Sequence, residues 1–227
     1  MKKFIKFFTI LSLLIPPNVA IASSSTITHS AKVNKPIAIT GFDTTFKFLH
    51  IFDKGGPGRL KRQADKIREY AEANNFSMEY CFLVDMSIAS GKNRFFVYNM
   101  RKDSLEFSAL VSHGFGSTIK DGTGTDNLVF SNMPYSFKTS LGKYKVGKPY
   151  KGEFGLSYKL YGLDTSNNRA LERAIVLHAD QHVPEQETYP AKIYQSAGCP
   201  TVSPNFLTIL GSFIKYSKKP ILMWIYD

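Results

Sequence analysis

The sequence predicts a mainly β (α+β) domain with flanking helices, and three observations carry that prediction. From Tyr80 onward the chain breaks into short runs rich in aromatic and β-branched residues, which suit a pleated, half-buried surface. Clusters of Gly, Pro, Asn, Asp and Ser separate the runs, and these residues favour turns. Helical spacing of apolar residues is concentrated at the two ends of that region.

The elements follow in chain order. Lys2, Lys3 and Lys6 precede an apolar run over 7–15, then Pro16-Pro17 and the small residues Ala20 and Ala22. This is the layout of a secretory signal peptide over 1–22, and the run is too short to span a bilayer. Residues 23–35 are Ser/Thr-rich without periodicity and read as a flexible lead-in. A helical N-terminal segment is expected over 36–78: a short helix near 42–52, then, after Gly56-Pro57-Gly58, an amphipathic helix over 59–73. Leu60, Ala64, Ile67 and Ala71 recur there at helical spacing until Asn74-Asn75 ends the pattern. The main domain is expected over 79–227. Strands are predicted at 80–84, 94–98, 107–111, 141–146, 158–163 and 174–178, and a last one at 221–226. Between them, Gly91 and its neighbours, Asp121-Gly122-Thr123-Gly124, Gly147-Lys148-Pro149 and Thr165-Ser166-Asn167-Asn168 read as turns. Ser203-Pro204 reads as an N-cap followed by Pro in the first turn, with Leu207, Leu210 and Ile214 continuing the helix.

Of the 227 residues, 43% are apolar and 21% charged, which excludes a mostly disordered chain. Lys and Arg number 29 against 18 Asp and Glu, a formal charge of +11. Loss of residues 1–22 removes three lysines and no acid. The remaining positive surface serves solubility or attracts an acidic cell-envelope polymer. Export argues against nucleic acid as the partner. No later apolar stretch is long enough for a membrane helix, so no stable membrane insertion is expected after cleavage. The protein is expected to be periplasmic or otherwise extracytoplasmic.

The most informative residues are Ile175-Val176-Leu177-His178-Ala179-Asp180 and Ser196-Ala197-Gly198-Cys199-Pro200. A His ending an apolar strand and a Cys in a Ser/Gly turn suit a base and its nucleophile. A thiol is only slightly ionised at neutral pH, and an imidazole that takes its proton makes attack on a carbonyl easier. Gly198 permits a tight turn, and the N–H groups of Gly198 and Cys199 can face a developing oxyanion. Either Asp180 or the Ala179 carbonyl can orient the imidazole. Competing readings are a Cys81–Cys199 disulfide, which suits Cys81 less well than a buried inert thiol in its apolar strand, and a zinc site from His178, Asp180, His182 and Cys199. The zinc spacing favours a helix, which the strand ending at His178 and the following Pro184 oppose. His113, in the Gly turn His113-Gly114-Phe115-Gly116, can line a cleft or serve structure alone.

These residues resemble the YkuD-like L,D-transpeptidases, specifically the murein L,D-transpeptidase catalytic domain branch. That pattern is a His, a spacer of about 14 to 17 residues, Ser or Thr, one residue, then Gly-Cys; here 17 residues separate His178 from Ser196, ahead of Gly198-Cys199. Ser131-Asn132, Ser136, Ser140-Leu141-Gly142, Gly162-Leu163 and Cys199-Pro200 extend the resemblance over roughly 80–226. It implies a YkuD-like antiparallel β-rich fold and an exported cysteine acyltransferase that acts on peptidoglycan stem peptides through a thioester, without metal or cofactor. Cys199 is then the nucleophile and His178 the base. Gly198 and Cys199 form part of the oxyanion hole, Ala179 holds the imidazole, Ser196 belongs to the motif turn, and His113, Ser131 and Asn132 are expected on the substrate side. The alternatives are an L,D-carboxypeptidase with water as acceptor and a non-catalytic cell-wall binding module. The better-known members carry His before Gly-Cys and Arg soon after it, where this chain has Ala197, Pro200 and Thr201.

Overall fold

The structure, a computed structural model, describes residues 56–119 and 127–227. The expected leader, lead-in and first short helix, and the turn at 121–124, lie outside the described residues. Helix α1 spans Gly56–Ala73 and starts at the Gly-Pro-Gly sequence itself. Pro57 is tolerated in a first turn because its missing N–H has no helical partner there. Leu60, Ala64, Ile67 and Ala71 are all buried, as the spacing requires. The helix ends at Asn74-Asn75, where Asn75 takes a positive φ of 60°, a conformation Asn tolerates better than most residues.

Eight strands follow: β1 (Tyr80–Asp85), β2 (Phe95–Asn99), β3 (Ser104–Ala109), β4 (Gly142–Gly152), β5 (Gly155–Gly162), β6 (Val176–Ala179), β7 (Thr201–Val202) and β8 (Leu222–Tyr226). They form one sheet in the order β3-β2-β1-β8-β4-β5-β6-β7. Pairing is antiparallel except between β1 and β8 and between β6 and β7. Helix α2 spans Pro204–Tyr216, its first turn capped by Ser203, whose Oγ accepts the Phe206 N–H. The result is the mainly β domain with flanking helices that the patterning predicts.

Two apolar layers sandwich the sheet. On one face α1 packs with Cys81, Leu83, Phe96, Tyr98, Leu222 and Tyr226. On the other, Phe206, Leu207 and Leu210 of α2 pack with Phe82, Val84, Phe95, Tyr144, Leu160 and Leu177. Successive β1 residues serve opposite layers, which explains why this central strand is apolar from Cys81 to Val84 rather than alternating. The expected turn at Gly147-Lys148-Pro149 is a correction: β4 continues to Gly152. The register shifts between Val146, opposite Leu160, and Pro149, opposite Tyr158. One extra residue is absorbed as a bulge, a device that draws on the same residues as a turn, and the chain reverses instead at Glu153-Phe154. No helix among the described residues is long and apolar enough to cross a membrane.

Candidate active site

The sheet brings the two halves of the candidate site together at one end. His178 lies in β6, where it pairs with Ser157 of β5 and with Thr201 of β7. Because β7 begins two residues after Cys199, that pairing fixes the Cys turn beside the His strand. A second strut comes from the parallel bridge between Gly114 and Ser196, with the Phe115 N–H donating to the Ser196 carbonyl. Within the turn, Ser196 Oγ donates to the Cys199 carbonyl at 2.6 Å and accepts the Gly198 N–H at 3.1 Å. Gly198 has φ 124°, and a side chain there would press on the Lys138 carbonyl at 3.1 Å and on Arg173 and Ile175 at 3.4 Å. Glycine is required by both the conformation and the space.

The imidazole is held on three sides. Its Nδ1 lies 3.0 Å from the Ala179 carbonyl oxygen, which can only accept, so Nδ1 carries the proton and Nε2 presents its lone pair. Thr201 Oγ1 lies 3.0 Å from Nε2 and donates to it. Phe154, at the tip of the β4–β5 hairpin and 53% exposed, stacks on the ring with centroids 4.3 Å apart. His178 itself is only 5% exposed. Burial pushes its pKa below the usual histidine value of 6.5, with the Ala179 hydrogen bond and the Asp180 charge drawing it partly back. Asp180 bonds to His182 rather than to His178, accepting from both its backbone N–H and Nδ1.

Cys199 is 9% exposed and Cys81 wholly buried, and both are free thiols. They belong to opposite layers of the sheet, so the disulfide reading fails. Cys199 Sγ accepts the Val176 N–H at 3.5 Å and lies 3.9 Å from the Ala174 carbonyl oxygen. Burial raises the thiol pKa, an effect opposed by the Val176 hydrogen bond and by the Arg173 charge. Cys199 and His178 share no direct hydrogen bond: His178 Nε2 is engaged by Thr201, and Cys199 Sγ by Val176 N–H and the Ala174 carbonyl. The Gly198 N–H is committed to Ser196, whereas the Cys199 N–H has no partner among the described residues.

Of the three residues expected on the substrate side, His113 is buried and Ser131 and Asn132 are half-buried, and all three make hydrogen bonds within the protein. His113 is 1% exposed; Arg94, which can only donate, bonds to its Nδ1 at 2.8 Å and to the Val111 carbonyl. The Asn132 amide ties the Thr165 carbonyl and Asn168. Ser131 accepts the Met133 N–H on its Oγ and Arg173 on its carbonyl. Arg173, which the sequence reading missed, also donates to the Lys138 carbonyl at 2.6 Å and to Ser140 Oγ. It thereby joins the 131–140 loop to the entry of β6. Phe115 and Phe137, both half-exposed and stacked with centroids 4.8 Å apart, add an apolar rim next to the Cys turn. Among the described residues no three His, Cys, Asp or Glu side chains converge as metal ligands.

Residues 57–226 match the model of the L,D-transpeptidase catalytic domain family, and the chain belongs to that family. No curated protein sequence matches it. Among solved structures it is similar to the helical cell shape determining protein Pgp2 of Campylobacter jejuni, at 13% identity and a TM-score of 0.42, covering 74% of this chain and 56% of that one. It is similar to Bd1075 of Bdellovibrio bacteriovorus, at 18% identity and a TM-score of 0.39, covering 68% and 49%. A third likeness is to the L,D-transpeptidase of Xylanimonas cellulosilytica, at 14% identity and a TM-score of 0.37, covering 70% and 68%. The chain spans about half the length of the first two.

Proposed function

We propose that this member of the L,D-transpeptidase catalytic-domain family is an exported cysteine acyltransferase acting on peptidoglycan stem peptides, with Cys199 as nucleophile and His178 as base. The observation that carries the reading is the locked tautomer of His178. With its proton held on Nδ1 by the Ala179 carbonyl, the ring offers a lone pair on Nε2 beside the turn that holds the only cysteine of this layer.

In the first half-reaction the Cys199 proton passes to His178 Nε2 as sulfur bonds to the carbonyl carbon of the third stem residue. The Cys199 N–H serves the oxyanion, and Gly198 supplies the turn that aims it. Collapse of the tetrahedral species breaks the amide; the leaving terminal D-amino acid takes the proton from His178, and a thioester remains. In the second half-reaction an amine of another stem attacks the thioester carbonyl, gives its proton to His178, and forms the cross-link as sulfur leaves and is reprotonated. Substrate displaces the Thr201 hydroxyl from Nε2, consistent with catalytic hydrogen bonds that tighten only in the substrate complex.

The test is incubation of the protein with defined tetrapeptide stems, followed by mass analysis of protein and products. A thioester adduct on Cys199 and joined or exchanged stems are expected, and Cys199→Ala abolishes both. An adduct that survives Cys199→Ala refutes the nucleophile assignment, and a shortened tripeptide as the sole product refutes transfer in favour of hydrolysis.

A further inference from the structure

A second feature of the fold stands apart from the Cys/His site. An open groove of about 1110 Å³ runs between the bulged part of β4, β5 and the C-terminal end of α2 with the turn after it. Six lysines line it: Lys145 and Lys148 from β4, Lys159 from β5, and Lys215, Lys218 and Lys219 from the helix end. Among the described residues no Asp or Glu lines it. Among the described residues none of these six ammonium groups pairs with a carboxylate, in contrast to Lys61 and Lys143. All but Lys145 are exposed. Six like charges around one concavity repel one another and create a strong positive field, a standing bias toward an anionic occupant.

The chemistry of the lining narrows the occupant. Among the described residues the lining has no Arg, so it offers compact ammonium point charges, the form in which Lys recurrently binds phosphate, rather than the planar fork that grips a carboxylate or a phosphate bidentately. Tyrosines are present, yet Lys145 sits over the Tyr161 ring at 4.7 Å, Lys159 over Tyr150 at 5.5 Å and Lys215 over Tyr216 at 5.4 Å. Tyr158 is buried against α2, its hydroxyl close to Gly211. Rings already covered by ammonium groups are poor platforms for stacked bases, which a single-stranded nucleic acid would need. The geometry points to this groove as a binding site for a linear polymer that carries a phosphate on each repeat and no bases. The inference does not depend on the acyl-transfer reading, because its readout is binding alone.

The test uses the full chain and labelled long-chain inorganic polyphosphate as probe, followed by fluorescence anisotropy across a salt series. Binding should weaken linearly in log affinity against log salt. The variant Lys159→Gln/Lys215→Gln/Lys219→Gln should lose about ten-fold in affinity at physiological salt and show a shallower slope. Lys159→Arg/Lys215→Arg/Lys219→Arg should retain binding, and Arg62→Gln/Lys66→Gln/Arg101→Gln, which removes as much exposed charge elsewhere, should lose less than about three-fold. Equal loss in that control refutes a localised site. Equal competition by poly-glutamate overturns the phosphate assignment, and equal competition by single-stranded DNA assigns the groove to nucleic acid instead. The Cys199 alkylation rate, measured in each variant, confirms that the fold is intact.

Discussion

Replacing Arg173 by Ala tests whether the guanidinium is the clamp of the candidate site. Its three hydrogen bonds reach the Ser131 and Lys138 carbonyls and Ser140 Oγ. At the low end of the range for bonds to charged groups, three such bonds come to about 4.5 kcal/mol. Arg173 is only partly buried, so water can re-satisfy some of these oxygens, and a net loss of ~2–3 kcal/mol is expected. For a domain of this size that lowers Tm by about 5–10 °C. The same cation opposes the burial-driven rise in the Cys199 pKa, so its removal should also move the pH dependence of Cys199 alkylation to higher pH. Thermal unfolding by circular dichroism and iodoacetamide labelling with mass readout measure the two effects. Arg173→Lys keeps the charge but not the fork, and should restore the alkylation profile better than the stability. An Arg173→Ala protein that unfolds within ~0.5 kcal/mol of the parent and alkylates with an unchanged profile refutes the clamp.

Two further predictions concern the imidazole. His178 has its folded pKa below 6.5, so the acid limb of kcat/KM should lie below that value. The folded state binds fewer protons there than the unfolded one, so stability rises with pH through the window just under 6.5 and is lost below it. Cys199 has its pKa raised above 9.0, so its contribution is present below pH 9.0 and declines as pH rises past that value. An acid limb above 6.5 contradicts the burial argument. Thr201 holds Nε2 in the free protein until substrate displaces it, so Thr201→Val should lower kcat/KM by about ten-fold with kcat little changed, as expected for a ring that loses one of its two in-plane anchors before substrate binds. Thr201→Ser should restore kcat/KM, and a Val variant with the parent's kcat/KM refutes the positioning role.

Local patterns exposed what local chemistry determines. The spacing of Leu60, Ala64, Ile67 and Ala71 identified α1, Ser203-Pro204 marked the start of α2, and the strand ending at His178 placed that residue at a sheet end. The Gly147–Pro149 segment misled because a bulge and a reversal are built from the same residues, and only the partner strand decides between them. Thr201 escaped notice because β7 has two residues and exists only through its pairing with β6. Arg173 and Phe154 were invisible for a related reason: an arginine in a turn and a phenylalanine at a hairpin tip acquire a role only when distant segments arrive beside them. The internal placement of His113 likewise depends on Arg94, which reaches it across the sheet edge.

The parallel pairing of β1 with β8 has a consequence for how the domain comes into being. The first strand of the sheet and the last lie side by side at its middle, so everything from β1 through β8 must be synthesised before the halves can join. Until Leu222–Tyr226 emerges, β1 and β4 each present an open flank of unpaired amides, the kind of surface that invites adhesion between molecules. The closing strand is therefore a keystone, and a chain that stops before it is left as two half-sheets with nothing between them.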